Sequence, residues 1–172
     1  MIEFANKLFS TGGIVLLVLS LFVIVRLIQN KQKDGVLDFV RTYALHLGFV
    51  LSLTGVLASL YYSEIVGFVP CVLCWVQRIF IYPQVLLFGY ALKKKDMGIL
   101  PYSFLLTVVG SFFALYHNYI YFGGTPAIPC DANASCTQRF VFEFGFMTIP
   151  LMAFTLFLAL GIVYFVSKRK TQ

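Results

Sequence analysis

Charge is what this sequence has least of. Asp, Glu, Lys and Arg together make up 12% of its 172 residues, against 60% hydrophobic ones, where soluble domains carry about 25% charge. That shortage excludes a water-soluble globular chain and makes lipid the solvent. Histidine occurs twice and tryptophan once, too few for a His-rich metal tract. No basic stripe interleaved with aromatics occurs in any water-facing segment, so the net charge of +6 is not a nucleic-acid footprint. Internal repeats, low-complexity linkers and a polar stretch long enough for a soluble domain are also lacking.

What is present is a series of nearly charge-free runs: Leu8 to Val25, Thr42 to Ser63, Val72 to Leu92 broken only by Arg78, Met97 to Pro129, and Phe144 to Ser167. Each can cross a hydrocarbon core of about 30 Å, which takes about 20 helical residues. Isolated spans in lipid must satisfy their own backbone groups, so the chain is read as an all-α membrane protein with helices near 8–28, 43–63, 72–92, 101–122 and 146–166. The first run could be a signal peptide, but its charges follow the apolar stretch and no small-x-small cleavage site ends it. The connection NKQKDGVLDFVRTY mixes Val36, Leu37, Phe39 and Val40 with charges and is expected to lie on the membrane interface as a short amphipathic segment.

Basic residues cluster in alternate connections. Arg26, Lys31, Lys33 and Arg41 flank the first, Lys93, Lys94 and Lys95 the third, and Lys168, Arg169 and Lys170 the tail. By the positive-inside rule these face the cytoplasm, leaving the N-terminus with Lys7, the 63–70 loop and the 123–145 loop with Arg139 outside the cell membrane. All four cysteines follow them outside: Cys71 and Cys74 at the outer start of the third helix, Cys130 and Cys136 in the long outer loop.

Cysteines confined to an extracytoplasmic face read as two disulfides or dithiols. As staples they are unconvincing, because the ring closed by Cys71 and Cys74 is tiny and a disulfide's effect grows with loop length. Zinc would need four thiolates in tetrahedral reach, and CDANASC places five residues between its cysteines, a loose spacing. Haem attachment needs His directly after the second cysteine, where this chain has Trp75. Redox exchange remains the favoured chemistry, with structural staples as the bland alternative.

Cys71, Cys74 and Arg78 stand at i, i+3 and i+7 and so share a helix face. Pro70 suits a helix start, which sets the cysteines over the unpaired N–H groups and positive dipole that favour thiolates. Arg78 lies about 9 Å below that start at about 1.5 Å per residue; snorkelling to the interface is its plain explanation, binding a polar electron acceptor its functional one. His117, in ALYHNYIYF, sits about 7 Å from the outer end of its helix on the same scale. A lone histidine there can simply bond a neighbouring helix. With Gln77 and Asn118 at similar depth, it also suggests a polar pocket walled by apolar and aromatic side chains, suited to a quinone. His46, near the inner end of the second helix, reads as structural.

PCVLCWVQR, the segment around His117, the cysteine pair in the following outer loop and FGFMTIPLMAF at the last helix together resemble the DsbB family of membrane disulfide-forming proteins, particularly its short-loop, BdbC-like branch. The resemblance covers roughly residues 38–167. It implies a four-helix transmembrane bundle over 38–172, with loop 123–145 outside and residues 1–37 as an additional N-terminal helix and connection. It also implies a quinone-dependent thiol oxidoreductase that takes electrons from an extracytoplasmic thioredoxin-fold oxidase, DsbA-like or BdbD-like, and delivers them to ubiquinone or menaquinone, so supporting disulfide formation in exported proteins. By the family pattern Cys130 exchanges with the partner, Cys136 links transiently to Cys71, Cys74 faces the quinone, Arg78 binds it, and Gln77 and His117 lie nearby.

Three departures accompany the resemblance. Gln77 stands where the best-known members carry Glu, the loop cysteines are only six positions apart, and the first helix has no counterpart in the four-helix core. The vitamin K epoxide reductase family is the nearest competitor, but its loop cysteines precede its CxxC. A non-enzymatic scaffold or channel subunit with two structural disulfides is the reading of a different class.

Overall fold

Glu3 and Lys7 precede the first apolar run, yet they sit one helical turn apart and pair with each other, Nζ to Oε1 at 2.8 Å, on an exposed face. Such an i, i+4 pair supports a helix. In the computed structural model, which describes residues 2–29, 34–125, 127, 136–138 and 140–169, helix α1 therefore begins at Ile2 and runs to Gln29, six residues earlier than hydropathy alone predicts. The predicted amphipathic connection forms α2, Gly35–Thr42, opened by Asp34, whose carboxylate accepts from the Val36 N–H at 3.0 Å.

The next four helices form the bundle. α3 spans Ala44–Leu60 and widens into one π turn over Tyr61–Ile65; α4 spans Val72–Lys94; α5 spans Leu100–Tyr121, after a short 3-10 turn at Met97–Ile99; α6 spans Ile149–Lys168. Lys95, in the left-handed region at φ 54°, ends α4. The stretch expected to begin the last helix at 146 instead closes a small antiparallel hairpin, β1 Phe142–Glu143 with β2 Met147–Thr148, in which Phe142 pairs with Thr148. Phe144 and Gly145 turn it with positive φ. Helix α6 starts only after Thr148, whose hydroxyl accepts from the Leu151 N–H at 3.1 Å, with Pro150 in its first turn. Including the single-turn extension of α3, five helices among the described residues are long and apolar enough to span a bilayer. The chain is a multi-pass helical membrane protein.

Helices α3, α4, α5 and α6 pack in a closed ring, each against two others, and α1 lies outside it along α6. Lipid gives apolar helices no hydrophobic reason to associate, so close approach and interhelical hydrogen bonds decide the packing. Gly48 of α3 lets the Phe88 ring of α4 in so closely that a Cβ would clash with it, and Gly110 of α5 does the same for Phe157 of α6, where a Cβ would meet the ring at 2.5 Å. Across α4 and α5 the Ser103 hydroxyl donates to Gln84 Oε1 at 2.6 Å, while Gln84 Nε2 donates to the Phe80 carbonyl at 3.0 Å. The inner cluster of Leu37, Ile162 and Val166, with Leu27 packed on it, joins α1, α2 and α6. Arg169 Nη1 donates to the Leu27 carbonyl at 2.7 Å. The described basic residues of the first connection and the tail therefore gather at one end of the bundle, and Cys71 and Cys74 lie at the other.

Candidate redox site

Cys71 is the N-cap of α4, and its sulfur accepts from the Cys74 N–H at 3.4 Å. This is the geometry expected from Pro70: the first cysteine hangs over the unpaired donors of the helix start. The two sulfurs lie 3.0 Å apart and both cysteines are free thiols. Cys136 is disulfide-bonded and buried. It packs in one cluster with Cys71, Leu73 and Ile120, so the fold brings this loop cysteine to the CxxC. Cys130 lies outside the described residues.

The two thiols face different surroundings. Cys71 lies 3.7 Å from Nε2 of His117, a buried residue of α5. Gln77 Nε2 donates to the other ring nitrogen, Nδ1, at 3.0 Å. A donor at Nδ1 leaves the neutral ring's own proton on Nε2, which is the nitrogen aimed at Cys71. Gln77, one helical turn below Cys74, thus orients His117 toward the first sulfur. Cys71 lies outside the membrane-spanning segment of α4, and its thiol is pushed well below the ordinary cysteine range. The hydrogen bond from the Cys74 thiol is the largest cause; burial opposes it, and the hydrogen bonds from His117 and the Cys74 N–H add to the lowering.

Cys74 faces the other way. With Gln77, Arg78 and Ile81 of the same helix it lines a cavity of about 550 Å³ between α1, α3, α4 and α6, within the range of about 300–1,000 Å³ typical of small-molecule sites. Arg78 is only 9% exposed, so it does not snorkel to the water interface. Its Nε donates to the Ser59 hydroxyl at 2.9 Å and its Nη2 to the Ser59 carbonyl at 3.0 Å. The guanidinium carbon stands 5.0 Å from the Trp75 ring centroid and 6.0 Å from that of Tyr82. Among the described residues no carboxylate pairs with it. Of the five guanidinium N–H donors, the two toward Ser59 leave others to offer a ligand carbonyl. The fit to a quinone is good: an apolar chamber, a fixed cation and a thiol on one wall.

His117 does not line that cavity. Its depth matches the expectation from sequence, but its contacts are with Cys71 and Gln77. Asn118, expected at the same depth, has its carbonyl oxygen occupied by the Thr148 hydroxyl at 2.8 Å and serves the start of α6. Ser59, which positions Arg78, is a serine in an apolar helix and carries no sequence signal beyond a depth matching that of the arginine. Ligand atoms of Cys71, Cys74 and His117 lie within 4.8 Å of one another, so a soft metal ion has three donors here, one short of a closed tetrahedral site.

Comparison with known proteins bears on the same segment. The profile of the family described as "Disulfide bond formation protein DsbB" matches residues 41–167. The SPbeta prophage-derived disulfide bond formation protein B of Bacillus subtilis is 38% identical over 138 residues, covering 78% of this chain and 93% of that protein. Probable disulfide formation protein C 1 of Bacillus anthracis is 40% identical over 126 residues, 72% of this chain and 91% of that protein. Disulfide bond formation protein C of Bacillus subtilis is 37% identical over 123 residues, 69% of this chain and 87% of that protein. No solved structure matches the chain significantly.

Proposed function

The chain belongs to the DsbB family, and from that premise we propose that it reoxidises an extracytoplasmic thioredoxin-fold thiol oxidase, DsbA-like or BdbD-like, and passes the electrons to membrane quinone. Its coarser role, a membrane oxidoreductase of disulfide bond formation, follows from the family and from relatives named for that process. Residues 38–172 carry the reaction, residues 1–37 are an addition to it, and the cysteines face outward with the C-terminus in the cytoplasm.

In this reading Cys130 exchanges with the partner's cysteine, and the reduced loop pair then turns to the CxxC. The Cys136 thiolate attacks Cys71 of an oxidised Cys71–Cys74 bond, releasing Cys74 as thiolate. Attack by Cys130 on the mixed disulfide then restores the loop disulfide and releases Cys71. These exchanges conserve electrons, and they are fastest when the leaving thiol has a low pKa. Cys71 meets that need, since the Cys74 thiol and His117 stabilise its thiolate. Gln77 holds the His117 ring for this role. The CxxC dithiol is finally reoxidised, losing two electrons and two protons. A quinone held against Cys74 and Arg78 would supply the acceptor for those two electrons and two protons. Cys74 lines the cavity in which the acceptor would sit, and Arg78 would donate to the oxygen on which negative charge builds.

One observation carries the reading: Cys74 and an arginine with no carboxylate partner among the described residues line the same apolar cavity. The test is quinone-dependent oxidation of a reduced thioredoxin-fold partner by purified protein in detergent. Quinol should appear in step with partner disulfide, and Cys74→Ser should abolish it while leaving partner exchange at the loop. A chain whose cysteines keep their redox state when reduced partner is supplied without quinone would instead be a scaffold with structural disulfides.

A further inference from the structure

Helix α1 lies wholly outside the segment matched by the family profile, which begins at residue 41. It is nonetheless held along its length. Near the cysteine end, the Phe9 ring sits 5.6 Å from that of Tyr61 and 5.5 Å from that of Tyr62. In the middle, Gly13 comes so close to α6 that a Cβ there would meet Met152 Cγ at 3.1 Å. At the basic end, Leu27 accepts from Arg169 and packs with Val23 and Ile24 on Ile162 and Val166.

Its close neighbours are α6 and α2, whereas α3 and α4 stand across the cavity from it. Leu8, Gly12, Val15, Leu16 and Leu19 line that cavity, on one face at helical spacing. Opposite them are Leu51, Gly55 and Ala58 of α3, and at the polar end Ser59, Cys74 and Arg78. The chamber therefore suits a ligand with one polar end and one long apolar end, and it is only partly enclosed.

We infer that α1 is the outer wall of a channel for the isoprenoid tail of the quinone, holding the tail between α1 and α3 while the ring lies at Cys74 and Arg78. This deepens the function proposed above and rests on it. A tail moving from lipid into this channel trades one apolar surrounding for another and gains little free energy. The contribution of α1 is therefore shape: it excludes lipid from the thiol and sets which tailed quinones can seat their ring.

Gly12 makes this testable, because a Cβ there meets nothing within 4 Å, so a side chain at 12 grows into open space without clashing at its root. A benzene-sized group needs about 150 Å³, over a quarter of a chamber of about 550 Å³. The full chain in detergent is titrated with an isoprenoid quinone and with a tail-less quinone of the same head group. Binding is read as quenching of Trp75, the single tryptophan, which stands against Arg78 and reports without turnover. In Gly12→Phe, affinity for the tailed quinone should fall at least about tenfold, a loss readily resolved in Kd, with the tail-less quinone within about twofold and Gly12→Ala near wild type for both. Equal loss for both quinones, or none for either, overturns the tail assignment.

A second measurement uses the unmodified sequence. A quinone with a diazirine in its tail should label α1 between Leu8 and Leu19, and excess tail-less quinone should displace that label by competing for the ring site. Label on α1 that persists under this competition would mean an acyl chain occupies the channel, and label on α5 alone would place the tail elsewhere; either result overturns the inference. If the wild-type protein binds neither quinone, it is the proposed quinone function that fails.

Discussion

Replacing Gln77 by Leu removes the donor that lies 3.0 Å from His117 Nδ1 and keeps a side chain of comparable bulk at a buried position. His117 is only 5% exposed, so water does not readily replace the lost partner. The ring is then free to carry its proton on either nitrogen, and the N–H aimed at Cys71 is no longer enforced. A hydrogen bond to a charged group is worth about 1.5–3 kcal/mol, and one pKa unit corresponds to about 1.36 kcal/mol. Complete loss of the His117 bond therefore raises Cys71 by about one to two units, and loosening it through Gln77 raises it by up to that amount. The sign follows from the direction of the native shift. Cys71 is lowered, so its thiolate persists as pH falls until the lowered pKa is reached, and either substitution narrows that window from below. The assay is site-resolved alkylation of the reduced protein in detergent, measured against pH by mass spectrometry. The midpoint for Cys71 should lie below the ordinary thiol value of about 8.5, rise by about one unit in Gln77→Leu, and rise by about one to two units in His117→Phe. In the double variant the shift should equal that of His117→Phe alone, because Gln77 reaches Cys71 only through the ring. An unmoved midpoint in Gln77→Leu, or shifts that simply add, would refute this chain of contacts.

Two further outcomes test the other parts of the site and its frame. Arg78→Ala removes a charge-assisted donor worth about 1.5–3 kcal/mol, so the apparent KM for quinone should rise about 10- to 100-fold while thiol exchange with the partner is unchanged; an unaltered KM would reduce Arg78 to a packing residue. Gly110→Ala places a methyl 2.5 Å from the fully buried Phe157 ring and should cost about 1–3 kcal/mol by overpacking. Thermal unfolding in detergent would show this as a lowered Tm, and an unchanged Tm would mean that α5 and α6 do not meet this closely.

The spanning helices were legible because a bilayer sets a length that apolar runs must satisfy, and no tertiary detail enters that rule. Boundaries failed where local chemistry competed with hydropathy. The first apolar run begins at Leu8, after Glu3 and Lys7, although their mutual pairing lets α1 start at Ile2. Residues 146–148 read as helix because they are charge-free, although Phe144 and Gly145 turn a hairpin just before them and Thr148 supplies the cap. Within the site, depth was readable and direction was not. Arg78 and His117 lie at the depths expected from about 1.5 Å per residue, but the rotation of α5 against α4 decides that His117 meets Cys71 and leaves the cavity to Arg78. That rotation is set by contacts such as Ser103 with Gln84, which no pattern within one helix reveals. The proximity of Cys136 to Cys71 was expected only through family resemblance, and the fold now packs both in one cluster.

The Glu-to-Gln departure at position 77 takes on a specific meaning in this geometry. An ionised carboxylate has no proton to donate and could not serve Nδ1 as the amide does. It would also stand beside Arg78 in sequence and along the same cavity wall, where a negative charge would neutralise the guanidinium. Ser59 instead anchors Arg78 through a hydroxyl and a carbonyl, which fix its direction without cancelling its charge. Holding a buried cation on neutral partners costs several kcal/mol relative to a paired one, and the rings of Trp75 and Tyr82 offset only part of that, at about 0.5–2 kcal/mol per contact. A fold under no other demand would lower its free energy by placing an acid at 59 or 77, or by turning the arginine out to the interface. This one does neither at those positions, and it sets a cation with no carboxylate partner among the described residues on the cavity wall that carries Cys74. On the proposed relay that is where negative charge arrives with the electrons, so the same desolvation that makes Arg78 costly at rest strengthens its attraction to the acceptor as reduction proceeds.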